Sequence, residues 1–133
     1  MERISIIARI YYLVVLADGH LDEKEIEAGR KMMQMENIPQ TIFERELAKL
    51  ENLEHDEVYD TCLEGLKLFS EEEQVKIIAW MTIIANSDGF MDNDEWHLIF
   101  TIYHKFLNLA NQPIMEMQKE IKESLKSQFD HAA

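Results

Sequence analysis

A single cysteine, Cys62, rules out an internal disulfide, and at 133 residues the chain does not need one. A domain of this length buries roughly two thirds of its unfolded surface without covalent help. Cys62 falls on the apolar stripe of a helix, which suits a reducing compartment and a small core residue rather than a reactive thiol. Four glycines and two prolines leave little material for hairpins. No stretch alternates with period two, so a β-rich fold is excluded. Positive charge is scarce: 13 Lys and Arg stand against 26 Asp and Glu, for a net charge of −13. Nucleic acid needs a basic footprint, so no nucleic-acid partner is expected, and anionic membrane surfaces are disfavoured.

Long hydrophobic runs are also missing, since none approaches the roughly 20 apolar residues that cross a bilayer. The segment Met1 to Ala17, which ends in the apolar run Ile10 to Ala17, is not read as a signal peptide: Glu2 and Arg9 interrupt it, there is no small-residue cleavage pattern, and the same apolar helix recurs at Val75 to Ala85. No membrane insertion is expected, and the cytoplasm is the expected location. The chain lacks a phosphate-cradling glycine loop, a Gly-x-Ser-x-Gly elbow, paired Glu-x-x-His motifs, a His-Glu-x-x-His motif and a plausible Cys/His pair. It is therefore expected not to be an enzyme.

What is present is helical periodicity. Seven helices are predicted in one domain spanning 1–133. The first covers about Arg3 to Ala17, with Ile4, Ile7, Ala8, Tyr11, Val14 and Val15 inward. The second starts behind Asp22 and stops at Asn37-Ile38-Pro39, and Thr41 with Glu44 opens a third that carries Ile42, Phe43, Leu47 and Leu50. A fourth runs from about Asp56 to Phe69. Ser70 with Glu73 forms a capping-box pattern before a fifth, Glu71 to Ala85, apolar on all sides. The sixth follows Asp92 and presents Trp96, Ile99, Phe100, Tyr103 and Phe106. The seventh follows Asn111-Gln112-Pro113, and its tail is expected to fray after Leu125. Helices apolar all round belong at the centre, so the first and fifth should form the middle of the bundle.

The octet Asp18-Gly19-His20-Leu21-Asp22-Glu23-Lys24-Glu25 returns seventy residues later as Asp88-Gly89-Phe90-Met91-Asp92-Asn93-Asp94-Glu95. Each copy joins an apolar helix to an amphipathic one. The fold is therefore expected to be an all-α bundle with a pseudo-twofold, duplicated helix, acidic turn, helix unit. Against the calcium loop of an EF-hand, Gly19 and Gly89 fall at the sixth position, Asp18 and Asp88 at the fifth, Asp22 and Asp92 at the ninth, and Glu25 and Glu95 at the twelfth. Val14 and Leu16, or Ile84 and Asn86, occupy the first and third positions, so neither copy is an ordinary EF-hand.

Half a calcium loop, twice, makes Asp18, Asp22, Glu25, Asp88, Asp92 and Glu95 the candidate ligands of one divalent cation shared between the turns. Carboxylates without cysteine favour calcium, magnesium or manganese over zinc. The alternative is structural: Asp22 with Glu25 and Asp92 with Glu95 are also helix capping boxes, which would make the protein a helical interaction or dimerisation module. Asp18 and Asp88 resist that reading, because each ends a helix at the negative pole of its dipole. His97 and His104 could form a metal clip with Asp94, but a solvated face is the simpler reading, and His20 is treated as incidental.

Ala17-Asp18-Gly19 with Leu21, Asp22 and Glu25, and Ser87-Asp88-Gly89 with Met91, Asp92 and Glu95, resemble the tellurite-resistance TerB-like family, which includes the TerB-like region of DjlA co-chaperones. The resemblance spans about Ile4 to Leu107. It implies a compact seven-helix domain with a divalent-cation site at the acidic positions, and a non-enzymatic role in bacterial stress response through an unidentified protein partner, a homodimer being one such form. No His-Pro-Asp tripeptide is present, so a direct co-chaperone role is not implied.

Overall fold

The computed structural model describes residues 2–16, 22–87, 89 and 92–129. Its elements are α1 (Arg3–Val15), α2 (Glu23–Met35), α3 (Gln40–Leu50), α4 (His55–Lys67), α5 (Glu71–Ala85), α6 (Asn93–Phe100) running into a π-helical segment (Thr101–Phe106), and α7 (Asn111–Phe129). Among the described residues there is no strand, and no helix is long and apolar enough to cross a membrane.

Local chemistry accounts for several of the helix ends. Asn37 adopts φ 57 at the end of α2. Ile38 N donates to Met33 O at 2.8 Å and Asn37 N to Gln34 O at 3.4 Å, the pairing of a Schellman motif, before Pro39 prevents continuation. At the start of α5, Ser70 Oγ accepts from Glu73 N at 3.2 Å. The carboxylate of Glu73 does not complete the capping box expected there, because Arg3 of α1 draws it away with an Nε to Oε1 bond of 2.6 Å. Helix α3 begins one residue before Thr41, behind Pro39, so Thr41 lies inside the first turn rather than capping it.

Helices α1 and α5 form the centre. Helix α1 buries Ile6, Ile7, Ala8, Ile10, Tyr11, Leu13, Val14 and Val15, nearly its whole circumference, and α5 buries Val75, Ile77, Ile78, Ala79, Trp80, Met81, Ile84 and Ala85. The two pack on each other; α3 and α4 cover α1, α7 covers α5, α2 lies on α5, and α6 touches both central helices. Two glycines let helices approach α1 closely. A β-carbon on Gly29 would stand 2.7 Å from Tyr11 Oη, and one on Gly65 would stand 2.5 Å from Ile6 Cγ1. The flanks of the two halves are unlike, since two short helices cover α1 where one long helix covers α5.

Two side chains placed inward by periodicity are largely exposed: Ile42 is 39% and Trp96 46% accessible. On α6 the inward positions are taken by Glu95 and Ile99, one turn apart, which leaves Trp96 at the edge with its ring 5.5 Å from that of Phe100. The end of α6 widens into a π-helical turn that its apolar spacing does not predict. Leu107 N bonds Ile102 O at 2.8 Å, five residues back, and the wider turn brings Ile102 and Tyr103 into the core. Cys62 is fully buried and its thiol is pushed up to about 12 by burial, in keeping with a core role.

Candidate functional site

The acidic turns leave the C-terminal ends of α1 and α5. Asp18 and Asp88 lie outside the described residues, as does His20. Gly89 takes φ 86, and its N donates to Asn86 O at 3.0 Å, closing a turn just beyond the C-cap of α5.

The remaining four candidate ligands are well defined. Asp22 is the N-cap of α2, and its Oδ1 accepts from Lys24 N at 2.7 Å. Asp92 is the N-cap of α6, and its Oδ1 accepts from Asp94 N at 2.8 Å. Glu95 Oε1 accepts from Asp92 N at 3.4 Å, which closes a capping box. In each aspartate a single oxygen does the capping, so a carboxylate lone pair remains for an ion.

Glu25 and Glu95 are 5% and 3% exposed, the two buried charged residues among those described. Carboxylates are seldom buried unless paired or coordinating. Glu25 sits beside α1: Tyr11 Oη donates to its carbonyl oxygen at 3.5 Å. The Tyr11 phenol is pushed up to about 12, first by burial and then by the negative charge of Glu25, with Arg30 opposing.

Among the described residues no three His, Cys, Asp or Glu side chains converge as a metal cluster. What the described part offers is one aspartate and one buried glutamate per turn. The ring of His104 stacks on Phe100 at 4.8 Å and 25°, which places it in an aromatic row rather than in a clip with His97.

A groove of about 420 Å³ runs between α2, α5 and α7. Lys24, two residues after Asp22, lines it together with Asn86 and Ser87, the residues just before Asp88. The exit of the first acidic turn and the entrance of the second thus share one wall. Lys24 and Lys31 come from α2, while Lys122, Asn86 and Ser87 come from α7 and the end of α5, so no local sequence motif marks the groove.

The family model described as Tellurite resistance protein TerB matches residues 3–117. The chain belongs to the TerB family. The TerB match takes in both acidic turns, with Asp22, Glu25, Asp92 and Glu95, and ends early in α7. Gln118, Lys122 and Leu125, which line the groove from α7, lie beyond the TerB span. No curated protein and no solved structure matches the chain.

Proposed function

We propose that this TerB-family chain is a non-enzymatic cytoplasmic module that binds one divalent cation, calcium, magnesium or manganese, between its acidic turns and engages a protein partner in a bacterial stress response such as tellurite resistance. The observation that carries the reading is the equal burial of Glu25 and Glu95, each three residues behind an N-cap aspartate. Two carboxylates withdrawn from water at matching places in two turns suit a hard cation that takes oxygen ligands. Asp18, Asp22, Asp88 and Asp92 would complete the set.

The mechanism is ion-dependent ordering. Empty, the carboxylates repel one another; a cation neutralises them and fixes the angles between α1 and α2 and between α5 and α6. The surface those helices present would then be competent for a partner, either another protein or a second copy of the chain.

The test is thermal unfolding of chelator-treated protein with and without each of the three cations at constant ionic strength. A cation at 100 times its dissociation constant adds about 2.7 kcal/mol of stability. That shift is expected for at least one ion and should vanish in Asp18→Asn/Asp88→Asn. No shift with any of the three would reduce the turns to helix caps.

A further inference from the structure

We propose that the groove between α2, α5 and α7 binds a small amphipathic anion, an aryl or alkyl group carrying a phosphate or carboxylate head. The strongest indication is the sign of the local charge. Lys24, Lys31 and Lys122 line the groove against a single carboxylate, Glu27, in a chain of net charge −13. Glu27 Oε1 stands 4.0 Å from Lys31 Nζ, a loose pair on an exposed rim.

Five cations elsewhere in the bundle are committed, while Arg30, Arg45, Lys105, Lys119 and Lys126 are scattered outside the groove lining. Arg3 and Lys76 bind Glu36, Lys49 binds Glu46, Arg9 bonds Thr61 and Ser5, and Lys67 lies 4.4 Å over the Phe106 ring. Lys24 and Lys122 form no ion pair with any described residue. Two ammonium groups facing one hollow, neither in an ion pair with a described residue, focus an attractive field for an anion.

The groove also has an apolar floor and spare polar capacity. Trp80, Ile83 and Leu125 contribute carbon surface, which an inorganic ion would leave unused. Asn86 is exposed along the wall, and Ser87 Oγ is buried without a hydrogen-bond partner among the described residues, an unmet demand of the kind that marks binding sites. The volume, about 420 Å³, lies within the range of small-molecule pockets. Lys122 and Leu125 belong to the part of α7 past the residues that the family model matches.

The experiment is a titration of the ¹⁵N-labelled, chelator-treated full chain, followed by amide and indole correlation spectra. Three probes are used: phenyl phosphate, inorganic phosphate and 2-phenylethylamine. Chelation keeps the outcome independent of the proposed cation. Phenyl phosphate should saturably shift the Trp80 indole and the amides of Lys24, Asn86 and Lys122, with inorganic phosphate at least about tenfold weaker and the amine without effect. Lys24→Gln/Lys122→Gln should weaken phenyl phosphate by at least about tenfold while leaving the unfolding midpoint unchanged, since both side chains are exposed. Shifts scattered over the surface, equal response to the amine or to inorganic phosphate, or undiminished binding by the double variant would each overturn the proposal.

Discussion

Trp80 Nε1 donates to Glu36 Oε2 at 3.2 Å, tying a buried indole of α5 to the residue that closes α2. The other oxygen, Oε1, receives Arg3 Nη2 at 2.9 Å and Lys76 Nζ at 3.0 Å. One carboxylate thus joins α1, α2 and α5 near the beginnings of the central helices, while the acidic turns leave their far ends. A negative group at the end of α2 opposes the helix dipole, and the two cations offset that cost.

Loss of this hub should be felt through what it leaves behind. Glu36→Ala strands a buried indole N–H and two partly exposed cations, and should destabilise by about 2 to 3 kcal/mol. Glu36→Gln keeps an acceptor for Trp80 and should lose about half as much. Urea unfolding at low and high salt measures both; the Gln deficit should shrink at high salt, because Arg3 and Lys76 are screened there.

Alkaline pH should unfold the protein through two named groups. Cys62 is raised from 9.0 to about 12, and Tyr11 from 10.0 to about 12, chiefly by burial. Each folded pKa exceeds its unfolded value, so the neutral form is favoured by folding. The associated stability is complete below the unfolded pKa and disappears as pH rises through the folded one. The loss should begin above pH 9 for Cys62, above pH 10 for Tyr11, and be complete for both beyond about 12. For Tyr11 alone it amounts to about 2 to 3 kcal/mol. Tyr11→Phe should flatten the upper part of that fall and Cys62→Ala the lower part, as read by denaturant midpoints across the window.

Gly65 and Gly89 should resist alanine for different reasons. At Gly65 the added methyl meets Ile6 at 2.5 Å, an overpacking cost of about 1 to 3 kcal/mol partly offset by about 1 kcal/mol of helix propensity. Ile6→Val should recover part of the loss. At Gly89 nothing lies within 4 Å, but φ 86 strains any side chain by about 1 to 2 kcal/mol. Thermal unfolding of Gly65→Ala with and without Ile6→Val, beside Gly89→Ala, separates the two causes, since only the first is rescued by a smaller neighbour.

The contrast between these residues shows what a sequence carries. Asp22, Ser70 and Asp92 were legible as caps because capping is decided within three residues of chain. The central place of α1 and α5 was legible because apolar residues on every side have nowhere else to go. Glu73 was misassigned because its partner, Arg3, is seventy residues away, and Trp96 because Glu95 and Ile99 fill the inward face of α6. The buried state of Glu25 and Glu95 depends on how α2 and α6 meet the central helices, and the gathering of Lys24, Asn86 and Lys122 in one groove on how α2, α5 and α7 meet, which no local pattern encodes.

The two N-cap aspartates can separate capping from ion binding, because the two roles make different demands. A cap requires a side-chain oxygen to accept from Lys24 N or Asp94 N, and asparagine supplies that oxygen about as well as aspartate. A cation requires negative charge, which asparagine lacks. Asp22→Asn/Asp92→Asn should therefore leave chelated protein as stable as the parent, or slightly more so if removing charge beside Glu25 and Glu95 relieves repulsion, while abolishing stabilisation by the cation. Asp22→Ala/Asp92→Ala should lose both, with about 1 kcal/mol of capping lost per helix even in chelator. Calorimetric unfolding with and without the ion reads all four numbers. If the Asn pair retained the full cation shift, Asp22 and Asp92 would be caps alone, and the ion would have to be held by Asp18, Glu25, Asp88 and Glu95.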